Sequence, residues 1–415
     1  MSEWNSIPLE DLADNITVGF VGSMTQEYIE SGIPFLRSKN VEPYRIDLDD
    51  LCYISSEFHQ KIKKSALSPG DVVIVRTGKP GAAAIIPESF PVANCSDLVI
   101  VRPSPKLDRH FLVYYLNSIA VRHINSRLVG AVQQHFNIGA ARELKICCPP
   151  VEEQQEIASV LTCLDRKISN LRQQNETLEA IAQTLFKHWF VDFEFPNEDG
   201  KPYRSSGGEM VRSELGEIPA SWHIEPLKKC LTYLIDNRGK TPTFFDIGIP
   251  ALSAKFVKGG DLVNRDSFNY VSYELFEQSE KLEVGDIILT SEAPLGETYF
   301  IAKETRYYPA QRVFALRANP EVISCSYLNY WFSSTIGQSL LQRRASGSTV
   351  QGIKQSELYQ CEVIFPAKRI QNLASDAFMK ALLKREANSK QIQILTKIRD
   401  ALLPNLMNGK VRIKS

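Results

Sequence analysis

Apolar residues recur at heptad spacing through the middle of the chain, between Val151 and Phe195. One heptad position is occupied by Ile157, Leu164, Leu171, Leu178 and Leu185, and the position four residues later by Leu161, Ile168, Asn175 and Ala182. A seam of about four heptads is typical of a coiled coil. The pattern predicts a helix from Val151 to about residue 190, roughly 60 Å long at 1.5 Å per residue. Asn175 is predicted to fix the register of that seam.

A second, weaker seam predicts another long helix near the C-terminus, from about Lys368 to Leu403. Its apolar positions are predicted to be Ile370, Leu373, Ala377, Ala381, Ile392, Leu395, Ile398 and Leu402. Lys384 and Asn388 interrupt this seam. The two helices have similar lengths, so we expect the second to lie antiparallel along the first.

The rest of the chain is an internal repeat. GIPFLRSK at 32–39 returns as GIPALSAK at 248–255, and LSPGDVVI at 67–74 returns as LEVGDIIL at 282–289. The aromatic segment FLVYYLNS at 111–118 likewise matches YLNYWFSS at 327–334. An offset of about 215 residues is too long for a solenoid repeat and indicates duplication of a whole domain.

Each copy contains strand-like runs after Gly-Asp turns, an amphipathic helix, a polar glycine-bearing loop and a last strand ending in proline. We therefore predict an α+β fold: two mixed α/β domains in tandem repeat, separated by two long antiparallel helices that form an intramolecular coiled coil. The predicted boundaries are a first domain at 1–150, a central spacer helix at 151–195, a Gly/Pro/Ser-rich linker at 196–221, a second domain at 222–366, and a C-terminal spacer helix and tail at 367–415.

Composition narrows the class of protein. The 415 residues carry 48 basic and 48 acidic side chains, so any argument for nucleic acid must be local. No apolar run is long enough for a membrane helix and the start lacks a secretory signal. The eight cysteines show no CxxC pairs, which favours a reducing cytoplasm over zinc or disulfides. We find no phosphate-binding loop, GxGxxG, GxSxG or HExxH motif, and we predict no catalytic residue, metal ligand or cofactor.

The polar loops and the hairpin turns of the two copies are the candidate DNA contacts. Both loops combine basic residues, glycine and glutamine, and glutamine amides can bridge adenine N6 and N7. The hairpin turns after each DVVIV-like strand offer donors for phosphates or base edges. The predicted contacts are Arg76, Lys79, Arg127, Gln133, Gln134 and His135 in the first copy, and Ser291, Arg343, Arg344, Ser348, Gln351 and Lys354 in the second. The alternative is that the loops only cap a helix and the turns are purely structural.

An aromatic cluster at the end of the central helix contains Phe186, His188, Trp189, Phe190, Phe193 and Phe195. Such a strip could stack bases. We predict instead that it packs the helix end against the second copy.

Four further segments carry a resemblance to a known family. They are PVEEQQEI at 150–157, FKHWFVDFE at 186–194, the tract from GKPY at 200–203 through SELGEIP at 213–219 to Trp222, and the tail LPNLMNGKVR at 403–412. Together with the two-domain, two-helix order, they resemble the specificity (S) subunit of type I restriction-modification enzymes. One departure is the start of the second helix, PAKRIQ at 366–371, which lacks the Glu-Gln pair of the first.

The resemblance implies that the two domains are target recognition domains, each reading one half of a bipartite, asymmetric site in double-stranded DNA. It implies that the helices set the half-site spacing and dock two methyltransferase (M) subunits, which bring S-adenosylmethionine, with restriction/translocase (R) subunits joining the larger assembly. The chain itself would then be non-catalytic. Two other classes remain open: a coiled-coil scaffold without sequence-specific DNA binding, and a methyltransferase or nuclease in its own right.

Overall fold

The computed structural model describes residues 4–48, 50–120, 136–347 and 350–413. The chain divides into two compact units. Unit 1 comprises Met1–Ser169 and Gln393–Ser415, and unit 2 comprises Asn170–Ile392. Each unit therefore takes one part of the central helix and one part of the C-terminal helix.

Unit 1 is built mainly from short strands. Its strands are β1 Asn5–Pro8, β2 Ala13–Val18, β3 Tyr28–Ile29, β4 Ile33–Leu36, β5 Val41–Glu42, β6 Arg45–Ile46, β7 Cys52–Ile54, β8 Ala66–Leu67, β9 Val72–Val75, β10 Ala83–Ile85, β11 Ala93–Cys95, β12 Leu98–Pro103 and β13 Lys145–Cys148. Its helices are α1 Ser56–Lys61, α2 Arg109–Tyr115 and α3 Ile138–Arg142, followed by the start of the central helix α4, Val151–Phe186.

An antiparallel sheet in the order β10-β9-β12-β2 forms the centre of unit 1. All four residues of β9 are buried, as its continuous β-branched run predicts for a strand covered on both faces. Gly70 precedes this strand with a φ of 89°, a conformation that glycine adopts without steric cost. A second sheet, β3-β7-β4-β11-β8, contains the parallel pair β4–β11.

Unit 2 repeats much of this element order and adds a hairpin at its start. Its strands are β14 Met210–Ser213, β15 Gly216–Pro219, β16 His223–Pro226, β17 Leu231–Asp236, β18 Ile249–Leu252, β19 Val257–Lys258, β20 Asp261–Leu262, β21 Tyr270–Val271, β22 Ile287–Ser291, β23 Leu295–Phe300, β24 Tyr308–Pro309, β25 Val313–Ala318 and β26 Glu362–Phe365. Its helices are α5 Leu227–Cys230, α6 Tyr273–Gln278, α7 Cys325–Ser333, α8 Thr335–Arg343, α9 Gln355–Tyr359 and the C-terminal helix α10, Lys368–Met407.

The strand pairings confirm the duplication predicted from the sequence. The order β17-β25-β22-β23 repeats β2-β12-β9-β10, the pair β16–β26 repeats β1–β13, and the parallel pair β18–β24 repeats β4–β11. One ion pair is also repeated. Arg102 Nε lies 3.3 Å from the carboxylate of Asp71, and Arg317 Nε lies 2.8 Å from Asp286. Hydrogen bonds to Asp286 raise the pKa of Arg317.

The two long helices run antiparallel in unit 1. Ile157, Leu161 and Ile168 of the central helix are buried, as the heptad pattern predicts. Arg399 Nη1 donates to Asp165 at 2.8 Å, and Arg412 lies 3.8 Å from Glu153. Since the lower number on one helix meets the higher number on the other, the pairing is antiparallel.

In unit 2 the helices are also antiparallel, and their contact includes a polar layer. Asn388 Nδ2 donates to Asn175 Oδ1 at 2.9 Å, and Asn175 Nδ2 bonds Ser389 Oγ at 3.2 Å. Next to it, Arg385 donates to Glu179. Asn388 is buried and Asn175 half-buried, and the pair has its hydrogen-bonding partners only in one register, which supports the predicted role of Asn175.

The apolar face of the C-terminal helix differs from the prediction. Ile370 and Ala381 are buried as predicted, but Leu373, Ala377 and Ile398 are exposed. Ala374, Phe378 and Leu382 are buried instead. The reason is that this helix packs on the core of unit 2 as well as on the central helix: the Phe378 ring lies 4.7 Å from that of Tyr330 and 6.1 Å from that of Phe186. Asn388, which interrupts the predicted seam, is itself buried.

A buried glutamine joins each long helix to its own unit. Gln154 is 1 % exposed; its Oε1 accepts from the Asp108 amide at 2.8 Å and its Nε2 donates to Pro149 O at 2.9 Å. In unit 2, Gln371 accepts from the Ser324 amide at 3.1 Å and donates to Pro366 O at 2.9 Å. Thus the second helix, although it lacks the Glu-Gln pair, retains the glutamine contact.

The phenylalanines of the aromatic cluster are core, whereas Trp189 is partly buried against them and His188 is exposed. Phe186, Phe190, Phe193 and Phe195 are at most 5 % exposed and belong to the main hydrophobic cluster of unit 2. Trp222 stacks on Phe195 at 4.9 Å. The segment at 196–221 includes the β14–β15 hairpin and lies within unit 2.

Among the described residues, no helix combines the length and apolar character needed to cross a membrane. The eight cysteines are free thiols. Burial raises the pKa of the Cys230 and Cys361 thiols to about 12, so both are held as neutral, unreactive groups.

Candidate nucleic-acid interface

In unit 2 the predicted loop and the predicted hairpin lie side by side. The loop follows α8 and the hairpin turn joins β22 to β23. Ile353 N donates to Ser291 O at 2.9 Å, and Gly352 pairs with Glu292 as an isolated bridge. Within the loop, Ser346 and Gly352 exchange backbone hydrogen bonds of 2.8 and 3.0 Å. The two predicted contact segments therefore form one continuous edge of the unit.

Unit 1 contains the same junction. Phe136 N donates to Arg76 O at 3.1 Å, and these positions correspond to Ile353 and Ser291 in the repeat. Arg127, Gln133, Gln134 and His135 of the first loop, and Ser348 of the second, lie outside the described residues. Their DNA contacts stay predictions.

The basic hairpin residues of unit 1 are paired with acids. Arg76 Nη1 lies 3.6 Å from Asp97 Oδ1, and the Arg76 side chain is 19 % exposed. Lys79 Nζ donates to both carboxylate oxygens of Glu42, at 2.7 and 2.9 Å, and is 65 % exposed. Lys79 can reach a phosphate by exchanging a solvent-exposed pair, which costs little.

The predicted residues of unit 2 separate into two groups. Ser291 is 1 % exposed, and Arg344 is partly buried with its Nη2 donating to Glu362 at 2.9 Å. Both side chains are thereby engaged in the fold. Arg343 at the end of α8 and Gln351 and Lys354 of the loop are exposed, and their DNA contacts stay predictions.

The sequence did not predict an arginine that joins the end of a strand to the loop of this edge. Arg238 binds the Asp236 carboxylate through Nε and Nη2, at 2.8 and 2.7 Å, and donates from Nη1 to Ile353 O at 2.7 Å. Its guanidinium also lies 4.0 Å from the Phe314 ring centroid. The available signal was the short Asp-Asn-Arg-Gly turn after a strand, which does not reveal a partner 115 residues away.

It also missed the residues that directly precede β12 and β25. Asp97 accepts from Thr77 Oγ1 and, at 3.3 Å, from Ser38 Oγ. Arg312 Nε lies 3.0 Å from Glu292 Oε1. Nearby, the ammonium of Lys39 lowers the pKa of Asp50, so that carboxylate stays ionised. The described residues contain no cluster of potential metal ligands.

The edge thus carries hydrogen-bond donors and acceptors, and both basic and acidic side chains. They lie on turns and loops next to a buried sheet. Such a surface suits the edges of base pairs, since each base pair presents a distinct pattern of donors and acceptors in the major groove. Exposed basic side chains beside it suit phosphates.

The chain is similar to proteins of one known family. The family model described as "Type I restriction modification DNA specificity domain" matches residues 1–180 and 226–398. The type I restriction enzyme MjaIX specificity subunit of Methanocaldococcus jannaschii is 26% identical over 431 residues, covering 99% of this chain and 94% of that protein. The HindI specificity subunit of Haemophilus influenzae is 25% identical over 325 residues, covering 65% and 69% of the two chains. The crystal structure of an S subunit from M. genitalium superposes with a TM-score of 0.59 at 16% identity, covering 97% of this chain and 96% of that one.

Proposed function

This chain belongs to the type I restriction-modification DNA specificity family, and we propose that it directs a methyltransferase complex to a bipartite site in double-stranded DNA. Each unit reads one half-site with its hairpin–loop edge. The observation that carries this proposal is the duplicated junction, Phe136 N to Arg76 O and Ile353 N to Ser291 O. Two copies of one edge with different side chains suit two half-sites of different sequence.

The helices are the natural spacer between the half-sites. The central helix contributes 151–169 to unit 1 and 170–186 to unit 2, so a single secondary-structure element passes through both. The ion pairs Asp165–Arg399 in unit 1 and Glu179–Arg385 in unit 2 lie two heptads apart in the sequence of each helix. We propose that this length sets the number of base pairs between the half-sites.

We propose that partner subunits bind the outer faces of the two long helices. Val160, Ile181, Leu383 and Ile394 are 38 to 59% exposed although they lie on helices that are paired along other faces. Exposed aliphatic residues of this kind are typical of protein–protein contacts. We propose that two methyltransferase (M) subunits bind there and supply S-adenosylmethionine and the chemistry, and that restriction/translocase (R) subunits join that assembly. In this proposal the chain has no catalytic residue of its own.

The test of the DNA-reading function is a map of adenine methylation in cells with and without the gene. Loss of one bipartite motif on deletion supports the proposal, and its return on complementation completes the test. An unchanged methylome contradicts the proposal and favours a scaffold without sequence-specific binding.

The spacer is tested separately by removing one heptad from both helices, residues 168–174 together with 390–396. This matched deletion keeps Asp165 facing Arg399 and Glu179 facing Arg385. Seven residues span about 10 Å of helix, or roughly three base pairs at about 3.4 Å each. The expected result is the same two half-sites with a shorter spacer or loss of methylation. Methylation at the original spacing would contradict the spacer role, and deletion from one helix alone serves as the control that disrupts pairing.

A further inference from the structure

The residues directly before β12 and β25 occupy equivalent positions and share an unusual backbone conformation. Asp97 has a φ of 54° and Arg312 a φ of 64°. Non-glycine residues rarely adopt this left-handed region, and holding them there strains the backbone. Neither unit has a glycine at this position, so in both units a side chain is retained where its absence would relieve strain.

Each of these side chains faces the end of the adjacent strand. Asp97 contacts Arg76 and Thr77 just after β9, and Arg312 contacts Glu292 just after β22. The charges are reversed between the units, and the two hairpin partners are adjacent positions of the repeat, since Arg76 aligns with Ser291 and Thr77 with Glu292. Unit 1 has the acid before the strand and the base in the hairpin, whereas unit 2 has the base before the strand and the acid in the hairpin.

The buried ion pairs of the two units behave differently. Asp71–Arg102 in unit 1 and Asp286–Arg317 in unit 2 keep the same residue types at the same places, with the aspartates 8 and 2% exposed. The reversed pair is more exposed: the side chain of Asp97 is 40% exposed and that of Arg312 is 57% exposed. A pair needed only to hold the fold has no reason to reverse sign, whereas a pair that contacts a different base in each half-site does.

The geometry of Arg312 leaves donors for a base. Glu292 Oε1 lies nearest to Nε of the guanidinium, at 3.0 Å, and the two terminal nitrogens donate no hydrogen bond to the described residues. Two parallel N–H groups match O6 and N7 of guanine, the commonest specific contact in the major groove. Asp97 offers carboxylate oxygens, which accept from the exocyclic amine of cytosine or adenine.

We infer that Asp97 and Arg312 are specificity-determining residues at matching positions of the two units, with Arg312 reading a guanine in one half-site and Asp97 reading a cytosine or adenine in the other. This inference rests on the proposed function. Arg76, Thr77 and Glu292 are positioning residues that orient the two readers.

The experiment is methylome mapping of cells that express the full chain with its methyltransferase partner, in wild-type form and as Arg312→Gln and Asp97→Asn variants. Arg312→Gln is expected to reduce the preference for guanine at one position of one half-site about tenfold to a hundredfold. Asp97→Asn is expected to relax one position of the other half-site. The spacer and the remaining positions stay unchanged. Arg212→Gln and Asp14→Asn are the matched controls, since both residues are exposed on strands away from this edge and are expected to leave the motif intact.

A double variant separates reading from structural pairing. Glu292→Arg with Arg312→Glu restores an ion pair of opposite orientation. If Arg312 reads a base, the double variant keeps the altered preference. Recovery of the wild-type motif by the double variant overturns the inference, as does a wild-type motif in both single variants or a uniform loss of methylation without a change of motif. A wild-type chain that gives no bipartite motif instead contradicts the proposed function, and the two failures are thereby distinguished.

Discussion

Replacing Gln154 with leucine is expected to detach the start of the central helix from unit 1. The side chain is 1 % exposed and sits where the last strand of the unit passes into the helix. It accepts from the Asp108 amide at 2.8 Å and donates to the carbonyls of Lys106 and Pro149 at 3.1 and 2.9 Å. Leucine has a similar volume but satisfies none of these groups.

The cost follows from the groups left without partners. A buried donor or acceptor that loses its hydrogen bond costs about 1–3 kcal/mol. Asp108 and Lys106 are partly accessible to water, so the total is expected to be about 2–5 kcal/mol rather than three full penalties. Gln371→Leu removes two such bonds in unit 2, and the expected loss there is about 1–3 kcal/mol.

Peptide-resolved hydrogen exchange of the full chain measures the effect in each unit separately, because a chain of two units need not unfold in one step. Gln154→Leu should speed exchange of the amides around Asp108 and leave those around Ser324 unchanged, while Gln371→Leu does the reverse. Gln155→Leu is the matched control, since Gln155 is the exposed neighbour on the same helix. Equal exchange in the Gln154 and Gln155 variants would refute the role of the buried amide.

Three further predictions concern the helix pair, the second loop and the alkaline limit of stability. Asn175→Leu should lower the free energy of unfolding by about 2 kcal/mol because it leaves the buried Asn388 amide without its 2.9 Å partner. Adding Asn388→Leu should recover most of that loss. Denaturant midpoints measure both effects, and a double variant no more stable than the single one contradicts the prediction. Arg343→Ala should weaken DNA binding by the methyltransferase complex at all sequences and reduce the slope of log K against log salt concentration by about one. Arg344→Ala should mainly lower thermal stability, because Glu362 holds the Arg344 guanidinium. Binding measured over a range of salt concentrations and melting curves separate the two variants, and identical behaviour would refute the distinction. Burial raises the pKa of Tyr44 from 10.0 to about 12, so its neutral form stabilises the fold fully below pH 10 and this contribution is lost as the pH rises from 10 towards 12. Tyr44→Phe should therefore flatten the plot of unfolding free energy against pH in this range. An unchanged slope argues against the prediction.

The central helix and the duplicated topology could be predicted from the sequence because both rest on local periodicity. Ile157, Leu161 and Ile168 are buried as their heptad positions require, and the repeated Gly-Asp turns lie before equivalent strands. The C-terminal helix was harder to predict. Its buried face follows Ala374 and Phe378, since the core of unit 2 competes with the central helix for its apolar residues. Such competition depends on tertiary contacts that a heptad count does not contain.

The candidate site was predicted at the level of segments and less well at the level of side chains. The loop and hairpin of unit 2 do meet, through the hydrogen bond between Ile353 and Ser291. However, Arg344 pairs with Glu362, 18 residues away, and Ser291 is enclosed by strand packing. Basic and hydroxyl side chains look alike in sequence whether they face solvent or an internal acid, because the partner lies elsewhere in the chain.

Two units of one chain separate the positions that hold the fold from those that differ with the ligand. Gln154 and Gln371 make the same backbone contacts, since any other side chain there leaves buried groups without partners. At the hairpin–loop edge the side chains of Asp97 and Arg312 are 40% and 57% exposed, and substitutions at exposed positions usually change stability by no more than about 0.5 kcal/mol. Asp97 and Arg312 can therefore reverse charge while the strands beneath them keep their register. In the proposed function, an edge with this tolerance would acquire a new half-site by a few substitutions at its exposed positions, without a change in the strands beneath it.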